Sequence, residues 1–304
     1  MKRLLFFPSM ILALALPAQA CDMTTSARSN ALVEYVENGL DCLENPPEPL
    51  RFDPHMEQLF LDRVNQERRK AGLNALKVRP EMLPAARFHS LDFGHNRYFQ
   101  HQGPDGRNAG NRIAAFDRTL LAQSTAENIA AFGPAICYDQ FENEVSCFLA
   151  PGFKLPTQEF VVEDLHKKLM LSDGHRANIL AEDSTHIAIG VARQASGFYV
   201  TQVFTNQVGS LSEPLPVGLK SNRKLDVEVE ITGWDFSTFA ATSPGEERIE
   251  LNDGQLDTLP AGQQMLLVRG ENISSEKRGG RTYTTTEWMD LFGPAFTIET
   301  AKGS

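Results

Sequence analysis

Beyond its first twenty residues, the sequence has no apolar run long enough to span a membrane. It also lacks an extended basic cluster, and its 39 Asp and Glu residues outnumber 29 Lys and Arg residues. Nucleic acids and anionic membranes are bound through local positive charge. These absences therefore argue against a nucleic-acid partner and against a membrane span.

Several common functional motifs are missing as well. The chain contains no G-x-S-x-G, H-E-x-x-H or G-x-x-x-x-G-K sequence and no paired C-x-x-C. We therefore do not expect the nucleophile elbow of α/β-hydrolases, the helix of zinc proteases, a phosphate-binding loop or a four-cysteine zinc site.

The first twenty residues, MKRLLFFPSMILALALPAQA, have the layout of a secretory signal peptide. Lys2 and Arg3 precede an apolar stretch, and Ala18-Gln19-Ala20 provides a small-residue cleavage site. This layout predicts a secreted or periplasmic protein. Because residues 1–20 carry two positive charges and no negative charge, cleavage changes the formal charge from −10 to −12.

Cysteine is scarce, with four residues at positions 21, 42, 137 and 147. An even number of cysteines in an exported chain favours disulfides, and four cysteines allow three pairings. We prefer the two local pairs, Cys21–Cys42 and Cys137–Cys147, although the sequence does not fix this connectivity. Lipidation of Cys21 is the alternative. It is disfavoured because Ala-Gln-Ala is an unusual lipoprotein triplet and because an unpaired thiol would remain.

The pattern along the chain predicts a signal peptide at 1–20, a disulfide-stapled helical segment at 21–50, an α/β domain at 51–210 and a β-rich extension or small domain at 211–304. Asp53 and Pro54 fit the start of a helix, and Gly72 fits its end. Further helices are expected at about 81–95 and 157–171, with a β-hairpin formed by 186–192 and 198–204. Helices followed by an antiparallel hairpin favour helices packed over a sheet.

The region after residue 211 has a different pattern. LDVEVEIT, residues 225–232, alternates apolar and polar residues without interruption, which predicts a strand. Later apolar pieces, MLLV and AFTI, are separated by polar and Gly-rich turns. No catalytic motif is recognisable in this region.

Three histidines, His89, His95 and His101, are spaced by six residues. On a helix, six residues turn the chain by about 240° net, so neighbours in this series would not share a face. We therefore interpret most of the trio as structural or exposed.

Three ordered segments carry the chemistry: RYFQHQGPDGR with His101, TAENIAAF with Glu127 and SDGHRANIL with His175. Together they resemble the bacterial branch of the CAP superfamily, which is named for cysteine-rich secretory proteins, antigen 5 and pathogenesis-related proteins. The resemblance covers roughly residues 54–204. Region 51–210 is accordingly interpreted as a CAP domain, also called an SCP domain.

The resemblance implies an α-β-α sandwich with a cleft where His101, Glu127 and His175 converge. Many family members add a second glutamate before the second histidine, and Leu171 stands near that position here. Asp173 is adjacent, but we interpret it as a cap of the following short helix. The chain therefore resembles three parts of a four-residue site.

Two imidazoles and one carboxylate are suited to a divalent metal, preferably zinc, with water completing the coordination shell. The same side chains could polarise a bound ligand through hydrogen bonds. A third interpretation is that His101 and Glu127 form a polar pair that holds the cleft together. The segment at 133–156, closed by Cys137 and Cys147, would lie near the cleft and shape ligand choice or merely decorate the domain.

The favoured function is an exported binding module, without turnover, for a small lipid-like ligand or an extracellular or envelope partner. A metal-assisted hydrolase acting on an envelope or extracellular polymer is the first alternative, with Glu127 as general base. An adhesion or structural protein that uses residues 211–304 is the second alternative. Because one fold hosts many functions, the resemblance predicts the fold better than the activity.

Overall fold

The computed structural model of the protein describes residues 21, 23, 31–133, 154–243 and 245–299. The predicted signal peptide and the predicted Cys137–Cys147 disulfide lie outside these residues. The predicted Cys21–Cys42 disulfide is present and ties residue 21 to the first described helix.

The helices of the described residues are α1 (Leu32–Glu44), α2 (Pro54–Lys70), α3 (Leu83–Asn96), α4 (Ala109–Phe116), α5 (Gln158–Leu171) and α6 (Asp173–Ile179), with short 3-10 helices at Pro80–Met82 and Asn252–Gly254. Side chains that bind free backbone N–H groups mark the starts of α2, α4 and α5. Asp53 accepts a hydrogen bond from the Met56 amide, and Thr157 accepts one from the Phe160 amide. Gly72, with φ of 77°, follows the end of α2 as predicted.

The strands are β1 (Arg51–Phe52), β2 (Lys77–Val78), β3 (Leu120–Phe132), β4 (His186–Gln194), β5 (Gly197–Leu211), β6 (Gly218–Lys220), β7 (Val229–Ile231), β8 (Asp235–Thr242), β9 (Ile249–Leu251), β10 (Gly262–Arg278) and β11 (Arg281–Glu299). They form one sheet whose main order is β1-β4-β5-β3-β11-β10-β8-β9. The pairs along this path are antiparallel. The predicted hairpin is confirmed as β4–β5, which closes at Gln194 opposite Gly197.

Alternate residues of β4 enter two different apolar clusters. Ile187, Ile189 and Val191 pack with buried residues of α2, α5 and α6, whereas Ala188 and Ala192 pack with residues of α1, α3 and α4. Successive side chains of a strand point to opposite faces. The two groups of helices therefore pack against opposite faces of β4. Gly190 lets α3 come close, because a Cβ there would lie 2.4 Å from the Ala86 carbonyl carbon.

The C-terminal strands continue the same sheet. β11 joins β3 through the pair Phe292 and Ala122, and β10 and β8 follow. A third apolar cluster lies here, built around buried residues such as Leu256, Leu266 and Phe296. The MLLV and AFTI segments lie in β10 and β11, as their apolar pattern predicts.

The prediction of a strand over all of 225–232 is wrong, because only Val229–Ile231 forms one. Leu225 is buried and donates its amide to the Gly254 carbonyl, and Ser212 donates its amide to the Glu228 carbonyl. The alternation of this segment therefore reflects full burial of Leu225 and partial burial of Val227, Val229 and Ile231 along an irregular chain, without a continuous ladder.

The helices of the described residues are all too short or too polar to cross a membrane.

Candidate functional site

The three residues singled out by the sequence motifs meet in space. His101 lies in the loop between α3 and α4, Glu127 lies in the middle of β3, and His175 lies on α6. His101 Nδ1 is 2.9 Å from Glu127 Oε1, and the His101 and His175 ring centroids are 6.5 Å apart. The His101 side chain is 54% exposed, whereas that of Glu127 is 3% exposed.

The Glu127 carboxylate uses its two oxygens for two different partners. Oε1 faces His101, while Oε2 accepts a hydrogen bond of 2.6 Å from Arg112 Nη2. Burial raises the pKa of Glu127, but the hydrogen bond with His101 and the charge of Arg112 outweigh it and hold the pKa below its usual value. Glu127 is therefore an ionised, fully engaged carboxylate at neutral pH.

Arg112 connects the carboxylate to the loop that carries His101. It lies on α4, is almost completely buried, and donates to the backbone carbonyls of Arg107 and His101 as well as to Glu127. One guanidinium thus fixes the loop, the helix and the strand relative to one another. Sequence reasoning missed this residue. Its signal was a single arginine directly before the apolar run Ile113–Phe116.

His89 was interpreted from the sequence as structural or exposed, and the structure places it in the interior beside Glu127. It is fully buried on α3, and its Nε2 lies 3.8 Å from Glu127 Oε1. Burial, reinforced by the charge of Arg112, lowers the pKa of His89 to about 3, so the ring is neutral at physiological pH. The argument that residues six apart on a helix point to different faces does not apply to His101. The helix α3 ends at Asn96, and Arg97 leaves the helical conformation with φ of 57°.

A polar network holds His175 in place. Asn178 Nδ2 donates to the Glu127 carbonyl and to Asn128 Oδ1, and Asn128 Nδ2 donates to the His175 carbonyl and to Gln202 Oε1. Gln202 is fully buried. Burial, followed by the proximity of His101, lowers the pKa of His175.

Two features around α6 differ from the expected arrangement. Asp173 does not cap the helix: it is the first helical residue, Ser172 occupies the cap position, and the Asp173 side chain pairs with Arg176 at 2.5 Å. Leu171, which stands near the position of the second family glutamate, is 71% exposed. The described site thus contains one carboxylate, Glu127, beside His101 and His175.

A cavity of about 580 Å³ adjoins His101 and Glu127. Its other lining residues are Asn108, Ala109, Gly110, Asn111, Thr125, Ala126, Met265 and Phe292. Met265 lies on β10 and Phe292 on β11, so the cavity is bordered by the C-terminal strands as well as by the loop, α4 and β3.

The sequence predicts that His101, Glu127 and His175 could together hold a zinc ion. Within the described part of the chain, no group of three or more His, Cys, Asp or Glu side chains is arranged to hold a metal ion. At this site the oxygens of Glu127 already accept hydrogen bonds, one from His101 and one from Arg112. As arranged, Glu127 orients His101 and is not grouped with the two imidazoles as a third zinc ligand.

Comparison with known proteins identifies the family. Residues 61–204 match the model of the CAP family, described as the cysteine-rich secretory protein family. This part of the chain is a CAP domain. The match lies inside region 51–210 and includes His101, Glu127 and His175.

Relatives of this region occur in bacteria. The uncharacterized protein YkwD of Bacillus subtilis (strain 168) is 30% identical over 148 residues, which are 49% of this chain and 46% of YkwD. The chain therefore spans about half the length of this curated relative.

Two solved structures are also similar. One is an extracellular protein containing an SCP domain from Bacillus anthracis, with 24% identity, a TM-score of 0.38, and coverage of 51% of this chain and 41% of that chain. The other is an outer surface protein from Borrelia burgdorferi, with 17% identity, a TM-score of 0.38, and coverage of 52% and 98% respectively.

Proposed function

We propose that this protein is an exported binding module whose CAP domain holds a small lipid-like ligand at His101 and His175. The observation that carries the proposal is the contrast between a half-exposed imidazole and the buried carboxylate that fixes it. Such a pair presents a rigid hydrogen-bonding group at the cleft, which is suited to recognition.

The tautomer of His101 follows from its partner. An ionised carboxylate only accepts hydrogen bonds, so the Nδ1 atom facing Glu127 carries the proton. In the neutral ring this leaves Nε2 as an acceptor for a hydroxyl or protonated headgroup. His175 is kept neutral by its lowered pKa and supplies a second imidazole nearby.

Hydrolysis is less well supported by the same geometry. A general base works best with a pKa near the operating pH and with an oxygen free to take the proton. Glu127 has a lowered pKa, and its two oxygens are bound to His101 and Arg112. We therefore derive no metal-assisted step for this site.

The proposal also covers the fold of region 51–210 and the cellular location of the protein. We infer an α-β-α sandwich for region 51–210, supported by the two apolar clusters on alternate sides of β4. Secretion or a periplasmic location is supported by the signal-like residues 1–20 and by the Cys21–Cys42 disulfide.

The test is titration with 1-decanol, followed by calorimetry and by ligand-observed NMR. We expect saturable binding to the wild type. His101→Gln should weaken binding about tenfold, the equivalent of one good hydrogen bond. His175→Gln should weaken it less.

His55→Gln is the matched control, because His55 is an exposed histidine paired with Glu159 on the surface. This variant should bind like the wild type. Equal binding by all four proteins would refute the proposal. If 1-decanol does not bind while the fold is intact, an extracellular protein partner becomes the better explanation.

A further inference from the structure

The cavity beside His101 crosses from the CAP domain into the C-terminal strands. Met265 and Phe292 border it, yet both lie outside the residues that match the family model. The wall that they form therefore belongs to this chain's own extension.

The position of this wall is fixed by hydrogen bonding to the strand that carries Glu127. Phe292 of β11 pairs with Ala122 of β3, five residues before Glu127 along the same strand. Met265 and Phe292 also pack against the cluster that contains Ile113 and Ala122. The extension is thus placed relative to the imidazole by the sheet itself.

Both strand pairs are irregular at this junction. The β10–β11 register shifts between Met265 and Leu267, and the β3–β5 register shifts on both sides of Ala122. Such irregularities bend strands and re-aim side chains, and they are frequent beside binding and active sites. Here they coincide with the two apolar residues that reach the cavity.

The cavity is lined by polar residues on the CAP-domain side and by two large apolar residues on the side of the C-terminal strands. His101, Asn108, Asn111 and Thr125 supply hydrogen-bonding groups, whereas Met265 and Phe292 supply a thioether and an aromatic ring. Cavities of this volume hold small organic molecules, and methionine adapts its shape to flexible apolar groups. A ligand that hydrogen-bonds to the polar residues and packs against Met265 and Phe292 is amphipathic.

We infer that the C-terminal strands form the specificity wall of the ligand site, with Met265 and Phe292 receiving the aliphatic part of an amphipathic molecule whose headgroup binds at His101. This inference rests on the proposed function and extends it, because it assigns ligand choice to residues outside the matched family region. Chain length of the ligand, rather than its headgroup, is selected by these two residues.

The experiment compares 1-decanol with 1-butanol, which share a headgroup but differ in aliphatic length. Phe292→Ala and Met265→Ala should each weaken 1-decanol binding about tenfold and leave 1-butanol binding unchanged. His101→Gln should weaken both probes. Trp288→Ala, an exposed aromatic residue further along β11, is the matched control and should change neither.

A direct contact measurement in the wild type covers the case in which a variant fails to fold. With labelled methionine methyl groups, we expect a nuclear Overhauser effect between the terminal methyl group of 1-decanol and the Met265 methyl group. If His101→Gln weakens both probes but the two alanine variants keep the ratio of 1-decanol affinity to 1-butanol affinity, or this effect is missing with bound 1-decanol, the inference is wrong while the proposed function stands. If His101→Gln changes nothing, the proposed function itself fails.

Discussion

Glu127 and the outer ribbon of the C-terminal hairpin, residues 271–288, belong to one sheet. The side chains in these two regions differ in their exposure to solvent. At Glu127, a carboxylate and the Arg112 guanidinium are both 3% exposed and paired with each other. In the outer ribbon, Ile273, Tyr283 and Trp288 are each more than half exposed. A sheet can thus seal a polar site at one place and extend into solvent at another.

The two regions should also differ in how much the free energy of unfolding falls when one side chain is removed. A buried charge without its partner keeps its full desolvation cost, whereas an exposed group regains water. The two regions should therefore respond very differently to equivalent substitutions.

The largest effect is expected at Arg112. Arg112→Met leaves Glu127 buried without its cation and should lower the free energy of unfolding by about 3–5 kcal/mol. Arg269→Met breaks the more exposed Arg269–Asp290 pair and should cost about 1 kcal/mol or less. Urea denaturation measures both values. Similar losses in the two variants would contradict the comparison, and adding Glu127→Gln to Arg112→Met should recover part of the stability.

A smaller effect is expected from the pH dependence at His89. Its folded-state pKa, about 3, lies below the value of about 6.5 in an unfolded chain, so the unfolded state binds the proton first as the pH falls. Stability from His89 is complete above pH 6.5 and is lost towards acid, on the order of 2 kcal/mol by pH 5.

His89→Leu removes this contribution, so its stability should fall less than that of the wild type between pH 6.5 and 5 in urea denaturation at each pH. Asp92 acts in the opposite direction, because burial raises its pKa to about 6 and its protonation favours the folded state. Since both proteins contain Asp92, their difference isolates His89. Parallel pH profiles would show that His89 is not the group that resists protonation.

The smallest effect is expected in the outer ribbon. Trp288→Ala removes a side chain that is 61% exposed and should change stability by less than about 0.5 kcal/mol. Thermal unfolding followed by circular dichroism provides the measurement. A loss comparable to that of Arg112→Met would mean that the ribbon packs against something and would remove the contrast between the two regions.

Local signals made much of the fold predictable. The caps Asp53 and Thr157 act within three residues of their partners, and the β4–β5 hairpin closes over a short turn. The proximity of His101, Glu127 and His175 was predictable because each stands in a recognisable segment. Such features need no knowledge of distant parts of the chain.

Long-range contacts were not predictable in the same way. Arg112 and His89 become site residues only when α3, α4 and β3 meet around Glu127. The junction of Phe292 with Ala122 joins residues about 170 positions apart, and no local pattern marks it. For the segment at 225–232, alternation predicted burial correctly but could not distinguish an irregular chain from a strand.

The entry of β11 beside β3 also determines how this protein can be divided. Leu120 and Leu121 at the start of β3 are almost completely buried, and Leu121 belongs to the cluster formed by the C-terminal strands. Cutting the chain after residue 211 would uncover these side chains and open one edge of β3 to pairing with other molecules. A shortened domain made for crystallisation or activity assays should therefore self-associate, and expression designs should keep the two parts together.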